Sequence, residues 1–539
     1  MSRNKRKAGG KAPSVQSSGY SHGGASFEKN TLKSWAPQHY SAKSDIDFNL
    51  QTLRARSADL ALNSPLGAAA ISTMTQGALS SGLKLYPKPK FKELGLTAEQ
   101  AREWSRKVAL EFDFWASSCH CDWYRRNNFF ELQQILFVNY LIDGDAFVLF
   151  KRRFATEECP YSLRLQAIEA QRVSNPQGEG KLAISPVEMQ GTRTGGKIIN
   201  GVEVDKNGRL LAVWISNKIW NEPTTLEPTL KWKRVKVFGE TTGCRNVLQI
   251  CKDTRIDQYR GVPFLAPVIE TLKQVARYAD SELAASIIKT FFAIFFTQPL
   301  GGNLDFKDIL SDAGADPREP VVDVTDYRLG QGVLNALPRG VDVKAIDRSN
   351  AQDSFQDFVN AFVKFTGAAL GLPYEVLLKN FQASYSASKA ALIQAEEEFR
   401  SRRNAFIVDF CQPVFEMFLS EAVALGRIQA PGFFDDPLKH YCWSRCDFRT
   451  ETSHLLDPVK EINAAKTRIE LGLSTHEREA SVLVGTDFFE SVEELMIENQ
   501  LLAEANNDTG EQDILRGLRS GDEGLTGGND RHGGNFAAV

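Results

Sequence analysis

Several stretches of this chain hold residue types that could do chemistry, and each spacing implies a partner that can be looked for. Ser386-Ala-Ser-Lys389 sets a hydroxyl three residues ahead of an amine, the form of a serine–lysine acylation site, but the Lys-Thr-Gly segment that completes such a site is absent. Gly191-Thr-Arg-Thr-Gly-Gly-Lys197 nearly forms a phosphate-cradling loop. Its last position is Ile198 rather than the Ser or Thr that binds magnesium, and the residues after it read as a strand, not a helix. Gly77 to Lys84 misplaces its lysine in the same pattern. His476-Glu477 has Ala480 where a two-histidine zinc face needs its second ligand, so it reads as a helix start after Ser474-Thr475. Cys119-His-Cys121 and Cys442-Trp-Ser-Arg-Cys446 lack the two-residue spacing of a zinc knuckle and read as buried or half-buried thiols. Asp143 and Asp145 could hold a cation, although a helix-to-strand turn around Gly144 explains them. These residues assemble no catalytic constellation, so the expectation is a protein that is not an enzyme and needs no cofactor or metal.

Chemistry of that kind needs rigid elements beneath it, and the strongest periodicity lies elsewhere, between Asn350 and Gly426. Phe355, Phe358, Val359, Phe362 and Val363 fall at i, i+3, i+4, i+7 and i+8, one apolar stripe of a helix. Asp353 and Asp357 sit in its first turns, where the helix dipole favours carboxylates. Gly371-Leu-Pro373 stops it, because proline cannot donate and pushes its predecessor out of the helical region. A polar loop, Tyr374 to Ser386, comes next. From Ala387 an apolar face returns through Leu392, Ala395, Phe399, Phe406, Phe410, Val414 and Phe418 to Leu425, with Glu396–Arg400 and Glu398–Arg402 as i,i+4 pairs. Pro413 is expected to kink this helix without ending it. At 1.5 Å per residue the helix would run roughly 60 Å, more than one ordinary core can cover. A neighbouring chain or a second domain must share its burial.

Before this stretch, residues 45 to 80 read as helices broken at Asn63-Ser-Pro65, with further amphipathic helices at Glu99 to Trp115 and Phe129 to Leu141. From Tyr161 to Lys252 the period is two, including a hairpin from Gly201 to Ile215 with Asn207-Gly208 at its turn. A long helix is expected from Pro263 to about Phe296. Residues 299–349 form a compact insert of short strands such as Pro320-Val-Val-Asp-Val. Helices return at Pro458 to Leu471 and Val492 to Glu504. The fold class is α+β rather than a doubly wound sheet.

Composition narrows the partners. Of 539 residues, 64 are Lys or Arg against 67 Asp or Glu, so the net charge of -3 argues against gripping nucleic acid through bulk basicity. It leaves room for a channel through which nucleic acid slides. Eight cysteines without a disulfide-like pattern, and no signal peptide in front, point to a reduced, cytosolic setting. The longest apolar run, Phe291 to Phe296, is far short of the ~20 residues of a membrane span, so no membrane partner is expected.

Taken in order, Gln258-Tyr-Arg-Gly-Val-Pro-Phe-Leu-Ala-Pro-Val-Ile, Tyr278-Ala-Asp-Ser-Glu-Leu-Ala-Ala, Gly371-Leu-Pro-Tyr-Glu, Tyr385-Ser-Ala-Ser-Lys-Ala-Ala-Leu, Phe410-Cys-Gln-Pro-Val-Phe and Asp457-Pro-Val-Lys-Glu resemble the lambda-type portal proteins of tailed phages. The resemblance covers residues 30 to 500. It implies a head-to-tail connector: a ring of about twelve subunits at one capsid vertex, a heterologous interface closed by rotation. DNA would enter through it during packaging and leave during ejection. It further implies an α/β wing (30–260 and 389–450), stem helices (261–298 and 350–372), a small β-containing clip (299–349), a tunnel loop (373–388) and a helical crown (451–505). Composition alone, basic with Ser and Gly at the start and Gly, Asp, Asn and Arg at the end, gives the expectation of a disordered basic tail (1–29) and a disordered C-terminal tail (506–539). Partners by this resemblance are further copies of the chain, double-stranded DNA, the terminase large subunit that supplies ATP hydrolysis, the major capsid protein and a head–tail connector or head completion protein. The protein would sit in the virion and assemble in the bacterial host cytoplasm. Lys379, Asn380, Gln382, Tyr385, Ser386 and Lys389 would line the tunnel loop, with Lys364 on the stem. Lys379 and Lys389 are the expected phosphate contacts, the alternative being plain solvated lysines, and Gln382 and Tyr385 would pack the loop between neighbours. Another capsid or scaffold subunit, or a packaging-motor enzyme, is the competing reading. The first has no need of an insert between two long helices, and the second would require a carboxylate cluster or a complete phosphate loop.

Overall fold

The computed structural model describes residues 20, 24–27, 29–176, 188–192, 195–219, 229–290, 294–296, 334–336, 351–381, 384–450, 458–486 and 488–509. The chain begins with helices because its caps are well placed. Between α1 (Leu50–Asn63) and α2 (Pro65–Leu79), Ser64 is extended and its hydroxyl accepts from the N–H of Gly67, while Pro65 takes the first helical position, where no donor is missed. Strand β1 (Lys84–Pro87) and the short α3 (Phe91–Leu94) lead to α4 (Ala98–Ala116) and α5 (Phe129–Asp143). Both of these longer helices open with reciprocal capping boxes, Thr97 with Gln100 and Asn128 with Glu131. Gly144, at φ 89°, ends α5 in the left-handed region and turns the chain into β2 (Asp145–Arg152).

The next sheets are antiparallel. Strands β3 (Leu163–Ile168) and β9 (Val247–Cys251) flank β2, giving the order β3-β2-β9. Between them in sequence, β4 (Glu188–Gln190), β5 (Lys197–Ile199), β6 (Val202–Val204), β7 (Leu210–Ser216) and β8 (Trp232–Lys236) form a five-stranded meander. The expected hairpin is β6–β7, with Gly208 at φ 85° and the Asp205 carboxylate accepting from the N–H of Asn207 and Arg209. The near-miss phosphate loop falls between β4 and β5, with Gly191 N–H donating to the Gly196 carbonyl at 2.8 Å, and its Arg193 and Thr194 lie outside the described residues. Phe147, Leu149, Ile168, Val213, Ile215, Val237 and Val247 form a core between the two sheets. The other face of β2, β3 and β9 packs on helices through Ala146, Val148, Leu163, Leu165, Leu248 and Ile250.

Two helix expectations change. The helix expected from Pro263 begins with a single 3-10 turn, Ala266–Val268, and α6 runs only from Ile269 to Thr290. Pro263 and Pro267 delay its start, since neither can donate to a preceding turn. Ile294–Phe296, expected to continue the same helix, is β10 and pairs in parallel with β11 (Leu334–Ala336). A β-branched and aromatic run suits a strand once a partner is available. Pro320-Val-Val-Asp-Val and most of the 299–349 insert lie outside the described residues.

After α7 (Ala351–Leu370) and the short α8 (Tyr374–Leu378), the second long helix is three pieces: α9 (Tyr385–Phe406), a π-helical turn (Ile407–Cys411) and α10 (Gln412–Ala424). The irregularity lies just before Pro413 rather than at it. Proline would crowd the carbonyl four residues back, and the wider turn relieves this, with Gln412 donating to Ile407 five residues back. Glu398 pairs with Arg402 at 2.7 Å as expected, but Glu396 reaches Arg403 at 3.2 Å rather than Arg400. Aromatic side chains of this helix fill the main core: Phe418 meets Phe112 edge-on at 5.2 Å and Phe410 stacks on Phe129 at 5.5 Å. Beyond it come α11 (Pro437–Trp443), β12 (Cys446–Arg449, paired with β1), α12 (Pro458–Glu470), α13 (His476–Leu483) and α14 (Phe488–Thr509). Among the described residues no helix is long and apolar enough to cross a membrane.

Candidate functional site

Helices α6 and α7 lie side by side because their aromatic stripes meet. The Tyr278 ring stacks on Phe355 at 5.5 Å and tilts against Phe358 at 4.3 Å, and Phe358 in turn touches Phe362. Near the end of α7, Val363 and Leu370 join the main core. Towards the far end of α6, Leu283 and Ile287 are 62% and 46% exposed, and on α7 Phe365, between Val363 and Leu370, is 70% exposed. Among the described residues nothing covers these three side chains fully.

Gly371, at φ 70°, takes the left-handed position that ends α7, and Leu372 N–H donates back to Gly367 at 2.8 Å. The segment expected to be a loop is largely helical. Val376 and Leu377 bury the inner side of α8, and Lys379 caps it in the left-handed region, φ 53°, with its side chain exposed. Asn380 N–H closes the turn onto the Glu375 carbonyl at 3.0 Å. Gln382 lies outside the described residues. Ser384 caps α9 by accepting from Ala387 N–H, so Tyr385, Ser386 and Lys389 stand on a helix rather than in a loop. The expected loop thus shrinks to the few residues between α8 and α9.

The lysines separate by environment. Lys379 has no carboxylate partner among the described residues. Lys364 sits over the Tyr374 ring, 5.0 Å from its centroid. Lys389 is engaged: its Nζ is 3.2 Å from Glu461 Oε1 of α12. Lys460, also on α12, lies over the Tyr385 ring at 5.8 Å. The start of α9 is therefore fastened to α12.

Asp145 does hold cations, but they are two arginine side chains, partners that spacing in sequence could not show, while the Asp143 carboxylate accepts from Gln171 Nε2 at 3.4 Å. Asp145 is wholly buried and accepts from Arg54 Nη2 at 2.6 Å, Arg260 Nε at 2.7 Å and Gly261 N–H at 3.1 Å. Burial alone would raise its pKa; Arg260 and then Arg54 outweigh burial and hold the carboxyl below its ordinary value. Arg260 also donates to the carbonyls of Val173, Ala170 and Asn200, and Arg54 to that of Asp143. Burial lowers the Arg54 pKa to about 10, which leaves it charged at neutral pH. Gly261 must be glycine, since a Cβ there would fall 1.9 Å from the Gly144 carbonyl oxygen. This hub explains Gln258-Tyr-Arg-Gly-Val-Pro: its Arg and Gly lock the entry to α6 onto the junction of α5 and β2.

The other motifs supply structure. Thr475 caps α13 by accepting from Arg478 N–H, which accounts for His476-Glu477. Cys121, Cys411, Cys442 and Cys446 are buried free thiols, and burial pushes the Cys121, Cys411 and Cys446 thiols up, away from reactivity. Among the described residues no three His, Cys, Asp or Glu side chains gather to hold a metal.

Comparison with known proteins gives the same direction as the motifs. Over 475 residues the chain is 24% identical to "Portal protein B" of Escherichia phage lambda, covering 85% of this chain and 86% of that protein. It is 23% identical to the "Portal protein" of Escherichia phage N15 over 88% of each. A chain from the neck of a native gene transfer agent particle aligns over 83% of this chain and 96% of its own, at 11% identity and a TM-score of 0.39, too low to carry an inference. The family described as phage portal protein, lambda family, matches residues 28–403, a span that includes the arginine hub, both members of the helix pair and most of α9. The chain belongs to the lambda family of phage portal proteins.

Proposed function

We propose that this portal protein closes into a ring of about twelve copies around a channel for double-stranded DNA. The observation that carries the reading is the α6–α7 pair, whose outer face keeps Leu283, Ile287 and Phe365 exposed in a single chain. A neighbouring copy supplies the missing surface. In this arrangement residues 30–260 and 389–450 are the wing, α6 and α7 the stem, 299–349 the clip that receives first the terminase large subunit and then the head–tail connector protein, 373–388 the tunnel segment, and the helices after 451 the crown within the capsid shell.

The protein does no covalent chemistry in this reading and needs no cofactor or metal; the terminase hydrolyses ATP. Its own contribution is a channel wall that touches phosphates weakly, since many fixed cations would hold DNA rather than pass it. Lys379, exposed beside Asn380, is the principal contact; Lys364, Tyr385 and Ser386 are secondary, and Gln382 belongs to the same segment. Lys389 acts mainly by fastening α9 to α12. Assembly takes place in the host cytoplasm and the ring remains in the virion at one vertex, in contact with the major capsid protein. Electron micrographs of the purified chain, with rotational symmetry counted in end-on views, test the proposal. Closed rings of about twelve with a central hole are expected; monomers under assembly conditions would overturn it.

A further inference from the structure

Two tetrapeptides far apart in sequence, Trp123-Tyr-Arg-Arg126 and Lys151-Arg-Arg-Phe154, meet at one end of the three-stranded sheet. Trp123 N–H donates to the Leu165 carbonyl of β3 at 2.9 Å, which brings its indole beside the end of β2. Lys151 Nζ lies 5.7 Å and the Arg153 guanidinium carbon 4.8 Å from the centroid of that indole. Lys233 of β8 adds a third charge; burial first and then Lys233 lower the Lys151 pKa. The turn after Trp123 is pinned by the Asp122 carboxylate, which accepts from the N–H groups of Tyr124, Arg126 and Asn127 and leaves Arg125 and Arg126 exposed. Arg152 is satisfied by Glu421. Arg125, Arg126, Lys151, Arg153 and Lys233 have no carboxylate partner among the described residues.

A buried group makes the imbalance deeper. Arg164 pairs directly with Lys151 across the β2–β3 ladder, so the two side chains share a face. It is fully buried and its Nη1 donates to the Tyr161 and Leu163 carbonyls, but Nε and Nη2 have no partner. In a chain of net charge -3, this is a local excess of cations that the Asp122 and Glu421 carboxylates only partly offset. Two aromatic rings flank it in the open: Tyr124 is 52% exposed and Phe154 95%. Cations alone would suit any polyanion; cations with exposed rings suit one whose charges alternate with flat bases.

We propose that this surface binds an unpaired nucleic-acid strand, its phosphates on the cations around Trp123 and its bases against Tyr124 and Phe154. The site does not depend on the proposed ring, since one chain contains all of it.

Fluorescence anisotropy of the full-length protein with a labelled thymidine oligonucleotide, across a salt series, is the test. The double variant Arg153→Glu/Lys233→Glu should weaken binding at least tenfold and flatten the salt slope by about one to one and a half, from two lost phosphate contacts. Tyr124→Ala/Phe154→Ala should weaken it about tenfold with the slope unchanged. If the charge reversal fails to fold, Arg153→Gln/Lys233→Gln gives the same reading at smaller amplitude. Unchanged affinity in both pairs would overturn the site, as would loss of binding only in Lys379→Glu, which belongs to the channel. Poly-glutamate competing as well as the oligonucleotide would replace the nucleic acid with an acidic protein segment. Tighter binding of a duplex, indifferent to the aromatic pair, would reject an unpaired strand.

Discussion

Single residues show how much of this molecule is held by buried charge. Asp145 balances two guanidiniums in a site closed to solvent, so removing its charge leaves Arg54 and Arg260 buried and uncompensated. Asp145→Asn should cost about 3–5 kcal/mol, measurable as a lowered denaturation midpoint with unchanged steepness. A midpoint within experimental error of the wild type would mean the arginines are balanced elsewhere. Asp409 is the opposite case: burial raises its pKa to about 6 while its carboxylate accepts from Cys251 N–H at 3.3 Å. A raised acid binds its proton more tightly in the folded state, so its contribution is full below the unfolded value of about 3.8 and is lost as pH rises through about 6. Asp409→Asn keeps an acceptor for Cys251 without the charge. It should raise Tm at pH 7.5 relative to the wild type and leave the two nearly equal at pH 4; a difference that does not change with pH would place the cause outside titration. Neither role is legible in the sequence, because the partners that define each residue's setting arrive from distant positions, Arg54 and Arg260 for Asp145 and Cys251 for Asp409.

Elements are legible where local rules decide them and illegible where packing does. The apolar stripe from Phe355 to Val363, the caps at Ser64 and Thr475 and the β6–β7 hairpin all follow from spacing within a few residues, and the structure has each of them. The end of α6 does not. Phe291 to Phe296 keeps helical period in the sequence, yet Ile294–Phe296 pairs with β11, a partner forty positions on that a sequence window cannot contain. The segment from Tyr374 to Ser386 reads as loop for a related reason: its described polar residues, such as Lys379 and Ser384, cap helices, while Val376 and Leu377 alone signal α8. The π turn before Pro413 is the most testable of these. If proline forces it, Pro413→Ala should restore regular α-helix from α9 through α10, turn Asp409 away from Cys251, and expose the Cys251 amide to faster hydrogen exchange. An unchanged helix path would assign the turn to the packing of Phe406 and Phe410 instead.

At the scale of the whole molecule, the two lysines singled out for DNA contact have separable consequences because only one of them is tied to another element. Lys379 stands exposed at the C-cap of α8, so Lys379→Glu should leave folding and ring assembly intact while reducing the DNA packaged per particle, and packaging at the wild-type level would remove it from the channel. Lys389 holds α12 through Glu461, with side chains 37% and 25% exposed, a pair worth no more than about 1 kcal/mol in such surroundings. Lys389→Glu should therefore loosen α12, seen as faster amide exchange along 458–470, before it affects DNA. The reversed pair Lys389→Glu/Glu461→Lys restores the attraction with the charges exchanged. If Lys389 serves only as a fastener, the double variant recovers both slow exchange and packaging. If it also contacts phosphate, exchange recovers while packaging stays low, because the glutamate now at 389 repels the passing strand. In the ring proposed above, the two measurements together decide whether this segment offers the passing DNA one lysine per subunit or two.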